Sequence, residues 1–186
     1  MSSRKIHKTV GLILLLPFIT WSLTAVFFLV RPRYEQAYET LAPRQYPMRE
    51  QVQFALTPEW QEIRYFETVL GSHLLVKQQN GWRHLDPRTL LPRPAPTAEQ
   101  LALLLQDAFQ HNPTRYGEIA QMNGNDITTS TGVNITLNWD TLSFSQEGRD
   151  TRWINKVYDI HYLEWTGITG VDKVLGLSGL ALLLYM

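Results

Sequence analysis

The chain has 186 residues, enough for one ordinary domain plus membrane segments, and its 17 Lys and Arg balance 17 Asp and Glu at a formal net charge of zero. No net field argues for nucleic acid as a partner. The absence of cysteine excludes disulfides, thiolate metal sites, a covalently attached c-type haem and a cysteine nucleophile, so any metal or haem must be held noncovalently by His, Met, Tyr or carboxylates.

Residues 1–9 form a basic start with Arg4, Lys5 and Lys8. Residues 10–30 carry no charge. At 1.5 Å per residue that stretch reaches about 31 Å, the thickness of a bilayer core, so it reads as a first transmembrane helix. A signal peptide competes, but its apolar run is usually about 7–15 residues and ends in a small-x-small cleavage site. This run ends in Phe27-Phe28-Leu29-Val30-Arg31, which favours an uncleaved anchor. Basic residues lie on both sides, so the positive-inside rule only leans toward a cytoplasmic N-terminus. Pro17 introduces a kink of the kind membrane helices tolerate.

Residues 31–155 hold nearly all of the charge, proline and turn chemistry and are expected outside the cytoplasm. Arg33 to Leu41 reads as a short helical continuation, and Pro43 and Pro47 then extend the chain. Ile63 to Leu70 and His73 to Gln79 are strand candidates; Asn80-Gly81 is the strongest hairpin signal, and Trp82 to Asp86 returns. Pro87, Pro92, Pro94 and Pro96 prevent a continued sheet interior. Thr97 and Gln100 spell a capping box, followed by Leu101, Leu104, Leu105, Ala108 and Phe109 at helical spacing up to Asn112-Pro113. Val133, Ile135, Leu137 and Trp139 alternate with polar residues, as do Leu142 and Phe144, predicting half-buried antiparallel strands. The fold class is therefore α+β, an antiparallel sheet-and-helix domain flanked by two membrane helices.

Residues 156–170 are expected as an interfacial helix and residues 171–186 as a second transmembrane helix. From Val174 to Met186 the apolar run is only about 20 Å of helix, so the sequence reads as ending inside that helix. A half-inserted tail is the alternative. If residues 153–168 are helical, Trp153, Val157, His161, Trp165 and Ile168 form one stripe, and Trp153, Tyr158, Tyr162 and Trp165 suit an aromatic belt as interface anchors. Gly11, Ser22, Ala25, Gly176 and Gly179 are small residues suited to packing against other membrane helices.

Three stretches resemble a known family. Arg4-Lys5-Ile6-His7-Lys8-Thr9-Val10-Gly11-Leu12 resembles the opening of PepSY-associated transmembrane proteins. Asp150 to Gly167, with its Asp159-Ile160-His161 turn, resembles their second signature, and Asp172-Lys173-Val174-Leu175-Gly176-Leu177 continues it. The hairpin, the Asp86-Pro87-Arg88-Thr89 turn and the following helix are similar to a PepSY domain, with Leu90 where those repeats usually have Gly. The resemblance implies a bacterial inner-membrane protein with its main domain in the periplasm. It implies a small accessory or assembly subunit of a membrane redox or iron-uptake complex, partnered by other membrane subunits or a second copy. Larger relatives include ferric-siderophore reductases that hold haem b between membrane histidines. The alternative function is a noncatalytic periplasmic interaction or protease-restraining module.

His7 and His161 are thus the candidate haem b axial ligands. Without the resemblance, His7 joins the basic interfacial cluster, and His161 is a structural member of the aromatic belt, bonded to a neighbour such as Asp159. His7 at the inner end of one helix and His161 at the outer end of the next stand roughly 30 Å apart and cannot ligate one iron. His73, His84 and His111 read as surface residues. A two-residue loop at Asn80-Gly81 puts His84 opposite Lys77 and about 13 Å from His73, too far to share a metal. No phosphate loop, G-x-S-x-G or H-E-x-x-H occurs.

Overall fold

A computed structural model describes residues 3–31, 33–48, 55 and 57–185. Met1 and Ser2 of the expected cytoplasmic start, and Met186 of the expected second membrane helix, lie outside the described residues. The chain forms two compact units. One comprises residues 38–149, and the other comprises residues 1–37 together with 150–186.

The 38–149 unit is α+β with two antiparallel sheets. The first contains β1 (Glu62–Thr68), β2 (Gly71–Gln78) and β3 (Gly81–Leu85) in sequence order. The second is a meander of β4 (Ile119–Asn123), β5 (Asp126–Thr129), β6 (Asn134–Asn138) and β7 (Ser143–Glu147). The expected alternation is visible in β6, where Ile135 and Leu137 are buried while Asn134, Thr136 and Asn138 face solvent. The central strand β2 is buried on both faces. Leu75 joins the main core, and Leu74 and Val76 join a smaller cluster with Leu85.

The helix expected after Thr97 is α3 (Ala98–Phe109). Its capping box is complete: the Gln100 backbone N–H donates to Thr97 Oγ1 at 3.3 Å, and Gln100 Oε1 accepts from the Thr97 N–H at 2.9 Å. The five periodic apolar residues are all buried, in one core cluster with Ile127, Ile135, Leu137 and Phe144. Removing the cap leaves an orphan donor at the first turn. Thr97→Ala is expected to cost about 1 kcal/mol in chemical denaturation. An unchanged midpoint would mean that the sheet contacts alone hold the first turn. A short turn, α4 (Pro113–Tyr116), follows and is capped by Asn112.

The hairpin between β2 and β3 departs from expectation. Gln78 pairs with Gly81, so the loop is Gln79-Asn80 rather than Asn80-Gly81. Gly81 takes a φ of 113° and Asn80 does not enter the left-handed region. A type I′ turn needs positive φ at both central residues, and that condition is not met. The ladder is consequently shifted, and Trp82, not His84, lies opposite Lys77. Leu90, at the position usually glycine in the resembling repeats, has a φ of 59°. Its side chain packs against the Leu74, Val76 and Leu85 cluster, which offsets the left-handed backbone cost.

The other unit contains α1 (Ser3–Val30), α2 (Tyr34–Ala37), most of α5 (Arg149–His161), and α6 (Thr169–Tyr185). Within α1, His7–Val30 is long and apolar enough to cross a membrane. The helical continuation expected over residues 33–41 is confined to the four residues of α2. The helix expected over 153–168 ends at His161. Leu163 and Gly167 take φ values of 60° and 69°, which a right-handed helix cannot contain. Trp165 and Ile168 therefore leave the stripe that begins at Trp153. The break is hydrogen-bonded by side chains: Asp172 Oδ1 accepts from the Thr166 N–H at 3.0 Å and its hydroxyl at 2.8 Å, and the Trp165 indole donates to Ile160 O at 3.1 Å.

Candidate cofactor site

Alpha5 runs back along the C-terminal third of α1. Trp153 meets Phe27 at 5.4 Å between ring centroids, Tyr158 stacks on Phe28 at 4.6 Å, and His161 reaches Thr24 and Trp21. The His161 ring is stacked on Trp21 at 5.6 Å and 14°, and meets the Phe28 ring edge-on at 4.9 Å. The sequence offered Asp159 as its partner. The observed partner is Thr24, 137 residues earlier, with His161 Nδ1 at 2.8 Å from Thr24 Oγ1.

The proton positions follow from counting donors. Thr24 Oγ1 has one proton and lies 2.9 Å from the carbonyl oxygens of Thr20 and Trp21, which can only accept. Spending the hydroxyl proton on a carbonyl leaves Oγ1 free to accept from His161 Nδ1–H, giving two hydrogen bonds; the reverse polarity gives one. Nδ1 therefore carries the proton in the neutral ring, and Nε2 carries the lone pair. No hydrogen bond engages Nε2 among the described residues.

His7 is exposed near the start of α1. It precedes Thr24 by 17 residues, about 25 Å of helix, so His7 and His161 do not meet. Trp153, Tyr162 and Trp165 are exposed, and Tyr158 is half-buried between Phe28 and Tyr162. Of the small residues, Ser22 and Ala25 face outward, and Gly11, Gly176 and Gly179 are half-covered. A Cβ on Gly176 or Gly179 would meet nothing within 4 Å, so neither glycine mediates a close helix contact among the described residues.

A second histidine arrangement lies in the 38–149 unit, and it corrects the surface reading of His73 and His84. Both are buried, at 0% and 3% exposure. The shifted hairpin register puts His84 opposite Leu75, diagonal to His73, and the rings meet with His73 Nδ1 at 2.9 Å from His84 Nε2. The 13 Å separation expected from the loop at Asn80-Gly81 is thereby removed. His84 Nδ1 lies 2.9 Å from Trp139 O, and His73 Nε2 lies 2.8 Å from Thr68 Oγ1. A carbonyl oxygen only accepts, so His84 Nδ1 donates to it and Nε2 accepts from His73 Nδ1–H. His73 Nε2 then accepts from the Thr68 hydroxyl, which itself accepts from the Leu70 N–H at 3.1 Å. One carbonyl thus orders every proton along the row.

Burial pushes His73 down to about 3, reinforced by the Arg93 guanidinium and by His84. Burial likewise pushes His84 down to about 4, partly opposed by its bond to Trp139 O. Arg93 donates to Ser72 O and to Leu70 O, and its own carbonyl accepts from the Trp139 indole at 3.1 Å. Both rings are neutral at pH 7, and the row ties β1, β2 and β3 to the β6–β7 turn. No group of three or more His, Cys, Asp or Glu capable of holding a metal ion occurs among the described residues. His111 is surface-exposed as expected, 3.7 Å from Glu39.

Only an alternative hairpin register would have revealed the His73–His84 contact from sequence; Thr24 as a partner for His161 had no local signal. Comparison of the chain with family models, curated proteins and solved structures finds no match.

Proposed function

We propose that this chain is a PepSY-type inner-membrane protein that serves as a small accessory subunit of a membrane redox or iron-uptake complex. In this reading α1 crosses the membrane with its N-terminus in the cytoplasm, the 38–149 unit is periplasmic, and α6 belongs to a second membrane crossing. Support comes from the apolar length of α1, from the basic His7-bearing start, and from the hairpin, turn and helix order of the 38–149 unit. The left-handed φ of Leu90 adds to it, because that backbone favours the glycine usual there in the resembling repeats.

The observation that carries the reading is the His161 niche. Thr24 holds Nδ1, Trp21 covers a ring face, and Nε2 is left with its lone pair. A hydrogen bond on one ring nitrogen fixes the tautomer and orientation of a metal-binding imidazole. The donor set fits haem b, with His161 Nε2 as the nitrogen that would hold it, and the bound group would supply one-electron transfer. His7 is too distant to be the second ligand, so a partner chain, a second copy or a further C-terminal part of the protein would supply it. His161 would hold the iron, while Thr24 orients the ring and Trp21 and Phe28 limit its rotation.

Titrating haem b into the full-length protein in mild detergent tests the niche. A shifted Soret band that His161→Ala weakens by about tenfold or more, and His7→Ala leaves unchanged, is expected. Equal haem uptake by wild type and His161→Ala would remove the ligand role.

A second reading, a noncatalytic interaction or protease-restraining module, is favoured by a cleft of about 520 Å³ beside the end of α3. Phe109, Gln110, Pro113 and Glu118 are among its lining residues. Binding there would survive His161→Ala, which separates the two readings.

A further inference from the structure

We propose that two copies of this chain pair through the exposed face of α5 and the break that follows it, with Lys156 of each copy opposite Asp159 of the other. The inference rests on the reading that α1 crosses the membrane, and is independent of haem.

Depth can be read from the contacts. Thr24 lies six residues before Val30, so the level of its partner His161 is about 9 Å inside the outer end of the apolar run. Because α5 runs antiparallel to α1 here, Asp159 lies about 6 Å inside that end. The chain then leaves the helix without leaving this depth, because the Glu164 N–H donates to Asp159 O at 2.7 Å and the Trp165 indole returns to Ile160 O.

Irregular backbone at such a depth persists only where protein covers it or water reaches it. Tyr162, Glu164, Trp165, Thr166, Gly167 and Ile168 are all exposed. Lys156, Asp159 and Glu164 are exposed too, and none of their side chains has a hydrogen bond or ion pair among the described residues. Asp159 lies inside the apolar layer, where an unpaired charge is costly and normally faces a protein interior or an opposite charge, and Lys156 lies three residues nearer the outer end.

Charge order identifies the occupant. Lys156 and Asp159 lie three residues apart, so they share one face of α5. A two-fold axis brings residue i of one copy to residue j of the other, and j to i. The lysine–aspartate contact therefore forms twice, with no requirement on any foreign sequence. Ile160 and Tyr162 are 42% and 67% exposed and supply apolar contact beside the charges.

The chain has no cysteine, so a single Ile160→Cys substitution in the full-length protein reports proximity directly. In membranes treated with a copper–phenanthroline oxidant, a disulfide-linked dimer is expected at Ile160→Cys, and none at the exposed control Leu15→Cys. Adding Asp159→Lys should lower the crosslinked fraction roughly fivefold, the effect of losing about 1 kcal/mol. Adding Lys156→Asp as well restores opposite charges across the axis and should restore the dimer. Generalised loss of folding would not be rescued in that way. A chain that stays in carbonate-washed membranes but gives no Ile160 crosslink, or no rescue, overturns the pairing alone. A chain that carbonate extracts overturns the membrane reading and the pairing together.

Discussion

Acidification from pH 7 to pH 5 is expected to destabilise the 38–149 unit by roughly 2 kcal/mol for each of His73 and His84. Their folded values are lowered to about 3 and about 4 from an ordinary 6.5. Between those limits the unfolded chain binds protons that the folded chain excludes. Stability is therefore fully present above pH 6.5 and declines as pH falls, with His84 ceasing to contribute to the slope before His73. Arg93 and Asp140 are the charged groups that act on His84, and Arg93 also acts on His73. The carboxyl of Asp86 is held below the usual range by the backbone N–H groups of Thr89 and Arg88 and by the Thr89 hydroxyl. Denaturant midpoints followed by tryptophan fluorescence at intervals across that window measure the effect. A flat profile would mean that the rings are hydrated in solution.

The same row predicts strong coupling between substitutions. His84→Leu removes the donor to the part-buried Trp139 O and the acceptor of the buried His73 Nδ1–H, leaving both without their partner. His73→Leu orphans the Thr68 hydroxyl and His84 Nε2. Each single change is expected to cost about 2–4 kcal/mol, because an unpaired buried group loses its hydration with nothing in return. The double change removes the ring-to-ring contact altogether and should cost less than the two single changes combined, by about 1–3 kcal/mol. It should also flatten the acid dependence. Additive losses in urea unfolding would show that the rings act independently, whatever their 2.9 Å separation.

These two results depend on features of unequal legibility. The capping box at Thr97 and Gln100 and the inward stripe from Leu101 to Phe109 are local, and the helix they predict is the one formed. The alternation through β6 is equally local. The hairpin was legible as a hairpin but not in register. Two loop choices around Asn80 differ by one residue in position and by two in pairing, and both keep each β3 side chain on the same sheet face, so the hydrophobic pattern does not distinguish them. Helix α5 was legible in its middle but not at its start: it begins at Arg149, ahead of the expected residues 153–156, and Thr151, Ile154 and Val157 turn inward while Trp153 is exposed. Its end at His161 was not legible either, because residues 162–168 contain no proline and only one glycine to mark a stop.

By itself, then, the sequence determined an apolar helix long enough to cross a membrane and an α+β domain free of cysteine, because length, composition and short-range periodicity act over a few residues at a time. Tertiary structure alone decided what the histidines do. His73 became buried and paired because a shift in strand register moved His84 to its diagonal neighbour. His161 acquired Thr24 and Trp21 because α5 folds back on α1, a contact spanning 137 residues that no local pattern encodes.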